Sequence, residues 1–157
     1  MNRRNLLLGL GGLAVVGIAS AWAASSVLAE TGPVFEGRTD GVAINGYDAV
    51  AYFEERKPVE GSPDITLEHG GVTWRFSSAK NRDAFAADPE RFRPAYGGFC
   101  AFAMAKGQKV KTEPDAWSIV DGRLYLNYDL NVRSMWDQRQ AEFIKAADGH
   151  WPKIAAE

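Results

Sequence analysis

The chain has one cysteine, Cys100, which excludes an internal disulfide and an all-cysteine metal cluster. Its two histidines, His69 and His150, leave few nitrogen ligands. Neither sign of charge dominates. The 18 basic and 20 acidic residues give a net of −2, which supplies no general electrostatic reason to bind nucleic acid. No carboxylate pair and no Ser-His-Asp spacing points to hydrolysis. The glycine cluster Gly9, Gly11, Gly12 belongs to an apolar N-terminal run rather than to a phosphate loop. No internal repeat or low-complexity tract stands out. What the chain does have is aromatic surface. Its 5 Trp, 5 Tyr and 8 Phe among 157 residues are enough to offset the entropy of ordering one domain.

Residues 1–29 carry only two charges, Arg3 and Arg4, followed by an apolar run from Leu6 to Trp22 and then Val27-Leu28-Ala29 before Glu30. A positive start, an apolar middle and a small-residue exit describe an export signal. The Arg3-Arg4 pair and the glycine-diluted middle fit a twin-arginine route. A cut after Ala23 is an alternative, and an uncleaved anchor is another, since Leu6–Ala29 is long enough to span a bilayer. Removing residues 1–29 takes away two basic groups and no acidic ones, which moves the net charge from −2 to −4. The expected product is a periplasmic or otherwise exported domain, free of the membrane once the signal is cut.

Residues 30–45 read as an irregular lead-in, and 46–157 as the folded unit. Gly46-Tyr47-Asp48 signals a turn, and the apolar run Ala49–Phe53 predicts a strand. Gly70-Gly71 predicts a hairpin in which Leu67 faces Trp74 and Ile65 faces Phe76, with His69 opposite Val72. Asp121-Gly122 predicts a second, pairing Ile119 with Leu124 and Trp117 with Leu126. Ser77 or Ser78 caps a helix to about Ala87, ended by Asp88-Pro89. Phe99–Ala105 is apolar all round and stops at Gly107, which predicts burial. A last helix is expected from about Asn131 to Ala147, with His150 in a tail that covers the domain edge. The sum is an α+β single domain with two antiparallel hairpins and about three helices.

The run Gly71–Ser78, then Phe85 and Asp88-Pro89-Glu90-Arg91-Phe92, resembles the core of a YHS domain. Gly46–Phe53, Tyr96–Ala101 and Trp117–Tyr128 resemble the exported bacterial branch of that family. The resemblance implies a small binding domain and, in typical members, a soft-metal site built on two cysteines four residues apart. Ser77 and Asn81 stand at the matching positions here, and neither is a thiolate donor. That metal site is not carried over.

Two readings of Cys100 stand side by side. Near a helix start, with Met104 four residues on and His69 as a third donor, it would suit copper or another soft metal. Among Phe, Ala and Met it also reads as a buried core thiol. Tyr47, Asp48, Tyr96, Asn127 and Tyr128 sit beside turns, either lining a cleft or satisfying backbone groups. The expected function is a binding module rather than an enzyme, handling a soft metal. The alternative is a metal-free interaction or accessory module with an unidentified protein partner. No resolving cysteine accompanies Cys100 for a thiol redox cycle.

Overall fold

Among the described residues, two antiparallel hairpins and six helices make a small α+β fold. The computed structural model describes residues 32–157, so residues 1–29, expected to be an export signal, lie outside the described residues. Among those described, no helix is long and apolar enough to cross a membrane.

Asp48 explains the first departure from expectation. The segment expected as a strand over Ala49–Phe53 forms the short helix α1 (Ala51–Glu54). The Asp48 carboxylate accepts from the backbone N–H groups of Val50 at 2.9 Å and Ala51 at 3.2 Å, which satisfies donors at the helix start and overrides the β-type apolar pattern.

The first hairpin joins β1 (Ser62–His69) to β2 (Val72–Phe76), with positive φ at Gly70 and Gly71. Leu67 faces Trp74 and His69 faces Val72, as the sequence pattern requires. Farther from the turn the register changes, and Ser62 rather than Ile65 lies opposite Phe76. Pro63 offers no N–H to a ladder, and Gly61 approaches so closely that a Cβ there would lie 2.4 Å from the Arg75 carbonyl carbon. The extra residues therefore bulge out.

Ser78 caps α2 (Ala79–Ala87) by accepting from the Asn81 N–H, and Asp88 ends it while capping α3 (Pro89–Phe92). After a tight turn at Ala95–Gly98 comes α4 (Ala101–Met104). The second hairpin, β3 (Trp117–Val120) and β4 (Arg123–Leu126), holds the expected register around Asp121-Gly122. The single helix expected from Asn131 is two: α5 (Leu130–Asp137) and α6 (Gln140–Ala155). Arg139, at φ −142 and ψ 41, breaks them, and α6 continues through His150 and Pro152, which had read as tail. The irregular lead-in expected over 30–45 contributes Val42, Ala43 and Ile44 to the core.

The two halves of the described chain repeat one plan, although no repeat stands out in the sequence. Ala43-Ile44-Asn45-Gly46 and Ala95-Tyr96-Gly97-Gly98 each hold two consecutive left-handed residues, Ile44-Asn45 and Tyr96-Gly97. A buried residue follows each turn, Asp48 in one half and Cys100 in the other, and then a four-residue helix. Next come a hairpin, a side-chain N-cap (Ser78 or Asp129) and a longer helix. In the first half Trp74 packs on Phe85, ring centroids 4.8 Å apart; in the second Tyr125 packs on Trp136 at 5.2 Å. Each aromatic pair centres its own hydrophobic cluster. Phe85 and Trp136 are wholly buried, and losing either ring would cost about 3–5 kcal/mol.

Candidate functional site

Of the three residues expected to bind metal, Cys100 and Met104 stand at the two ends of one short helix and His69 ends β1. Met104 is fully buried in the second cluster, and its N–H donates to the Cys100 carbonyl at 2.9 Å, so both sulfurs belong to one helical turn. His69 touches two members of the first cluster, its ring edge-on to Phe85 at 5.8 Å and its carbonyl accepting from the Trp74 indole N–H at 3.0 Å. Its Nε2 is buried without a hydrogen-bond partner. Among the described residues, no group of three or more His, Cys, Asp or Glu side chains is placed to hold a metal ion.

The Cys100 thiol is enclosed, 1% exposed, and donates toward Asn127 Oδ1 at 3.7 Å. Burial pushes its pKa up, while the backbone N–H groups of Ala103, Tyr128 and Phe102 pull it down. The net upward shift keeps it a thiol. Asn127 Oδ1 also accepts from the Phe102 N–H at 3.1 Å, which fixes the orientation of the amide. Its Nδ2 is then buried with no partner.

The sequence suits Asp48 to a turn or a cleft; the structure gives its carboxylate far more. One oxygen caps α1. The other accepts from the Ser77 N–H at 2.8 Å, the Ser77 hydroxyl at 2.7 Å and Asn81 Nδ2 at 2.8 Å. Ser77 and Asn81 are the positions where the resemblance would place cysteines, and here they serve a fully buried carboxylate. A lone Asp beside a turn in the sequence carries no sign of partners 29 and 33 residues away.

Of the tyrosines beside turns, Tyr96 is buried and donates to Asp148 at 2.9 Å, Tyr47 is half-buried, and Tyr128 is 40% exposed. Near Tyr128 in the chain, Glu113, Asp115, Ala116, Asp129, Leu130 and Asn131 line an open cleft of about 430 Å³. Leu130 stands 59% exposed at this cleft. Sequence reading missed it because the acidic residues come from two segments that only the second hairpin brings together. Compared with known proteins, the chain matches no family model, no curated protein and no solved structure.

Proposed function

We propose that the protein is an exported, YHS-type binding module that works through a protein partner and needs no metal. The observation that carries this is the cleft at the start of α5. Two carboxylates, Asp115 and Asp129, and Glu113, which is paired with Lys111 and Arg38, line it beside an aliphatic side chain, Leu130, that is largely exposed to water. Large apolar groups exposed beside like-signed charge favour a partner of opposite charge with an apolar anchor. The complementary partner is a basic segment carrying a leucine-like side chain. The N-terminal Arg3-Arg4 pair and apolar run support export, and the ordered motifs from Gly46 to Tyr128 support the family.

A fluorescently labelled peptide alternating lysine with leucine is the probe. Anisotropy should report binding that weakens as salt is raised and falls at least tenfold in Leu130→Asp. Asp115→Asn should weaken it less. Equal binding by wild type and Leu130→Asp would refute the proposal. Soft-metal handling, which the shared turn of Cys100 and Met104 supports, would replace it if the protein purified with stoichiometric copper that Cys100→Ala lacks.

A further inference from the structure

The repeated plan contains one place where the halves differ in chemical kind. Val42 directly precedes the first left-handed turn, Ile44 lies in it and Val72 opens β2, and all three are buried. The matching positions of the second half hold Pro94, Tyr96 and Arg123. Those three line a cavity of about 70 Å³, together with Glu90, Arg93 and Trp151. A valine brings no polar atom beyond its backbone, whereas a guanidinium at the same place brings five N–H donors in a planar fork. The Arg93 side chain is 8% exposed, and its Nη1 donates to Glu90 at 2.8 Å. Arg123 meets the Asp148 carboxylate at 3.7 Å, longer than a hydrogen bond, and its guanidinium lies 5.7 Å from the ring centres of Tyr96 and Tyr125. A guanidinium over aromatic faces keeps its N–H edge in its own plane, and that edge takes a carboxylate through two parallel bonds. The cavity shares no lining residue with the cleft at α5.

We propose that this cavity is a binding site for a small monocarboxylate, with Arg123 as its bidentate anchor. Charge selects the class of ligand. The lining carries two guanidinium groups and one carboxylate, a net of +1, which a single carboxylate neutralises. A doubly charged oxyanion would overshoot that charge and be repelled by Glu90. Size selects the rest. At about 30 Å³ of liquid volume per water, the cavity is a little over two waters large, which suits a carboxylate head with one or two further carbons. Trp151, Tyr96 and Pro94 supply apolar wall for those carbons, so the site joins a charged anchor to a short hydrophobic slot. Arg93, tied to Glu90, keeps the second positive charge in the wall. The first half has no such site, because Val72 stands where the anchor would be.

The test titrates the full chain with sodium propionate at constant ionic strength and follows the Arg123 Nε–H and the Trp151 indole N–H by NMR. Both signals should shift saturably with a Kd on the order of 1 mM, within what so few ligand atoms can supply. Sodium sulfate, the doubly charged control, should bind severalfold more weakly. Arg123→Val, which installs the residue of the first half, should weaken propionate binding about tenfold or more. Arg123→Lys keeps the charge and loses the fork, and should weaken it severalfold; it decides the matter alone if the valine variant does not fold. Shifts that do not saturate would overturn the proposal. So would sulfate binding as tightly as propionate, or a lysine variant that binds propionate like the wild type, since either result reduces the site to unspecific positive charge.

Discussion

At the scale of single residues, Asp48 organises more of the molecule than any other polar side chain described. Its two oxygens hold the start of α1 and tie that helix to the exit of β2. Asp48→Ala would strand several buried donors at once, at about 1–3 kcal/mol each, and should lower the unfolding free energy by at least about 3 kcal/mol in urea denaturation. A loss under about 1 kcal/mol would mean that water replaces the carboxylate. In the sequence Asp48 reads as a turn former or a cleft residue, but its main partners come from the far side of the first hairpin. Cys100 was legible as a buried thiol, since its apolar neighbours announce the core. Asn127 was legible only as a polar residue beside a turn, because its role depends on contact with a residue 27 positions earlier.

At the scale of elements, the hairpins were readable because Gly-Gly and Asp-Gly dictate both the turn and the register next to it. The prediction failed where a tertiary contact competed, at the Gly61–Arg75 approach, and where a local one did, at the Asp48 cap that turned a strand-like run into α1. The break between α5 and α6 was hidden because the apolar stripe continues across it. The tight turn before α4 makes a sharper claim. Gly97 has φ +61, and a Cβ there would lie 2.0 Å from the Pro33 carbonyl oxygen. Gly97→Ala combines backbone strain with that clash, so its melting temperature should fall by roughly 10 °C or more, whereas Gly71→Ala, with open space around it, should fall by less. Similar losses in a thermal melt would contradict the close packing of this segment.

At the scale of the whole molecule, the duplicated plan escaped sequence reading because the halves conserve positions rather than residues. Asp48 stands against Cys100, Trp74 against Tyr125 and Phe85 against Trp136, and one residue of spacing changes between turn and cap. The α+β class survived because periodicity and turn chemistry agree in both halves. Each half also buries a phenol. Burial, with Tyr47 and Asp115, raises the pKa of Tyr52; burial, with a hydrogen bond to Asp148, raises that of Tyr96. Folded values above unfolded ones give a contribution fully present below the ordinary tyrosine pKa, about 10, and lost as pH rises beyond it, because the unfolded chain releases its protons first. Urea midpoints should therefore hold to pH about 9 and fall toward pH about 11, while native-state absorbance shows these two phenols un-ionised. A flat profile would place both phenols in contact with water.

The segment from Pro33 to Gly37 threads between the two left-handed turns. Phe35 donates to the Gly97 carbonyl and accepts from the Ile44 N–H, and Glu36 accepts from the Asn45 N–H. One short stretch thus closes hydrogen bonds with both halves at once. It is the suture of the molecule: neither half can complete its turn alone, so opening at one turn is felt at the other. What the sequence presents as a preface is where two similar folding units become a single cooperative one.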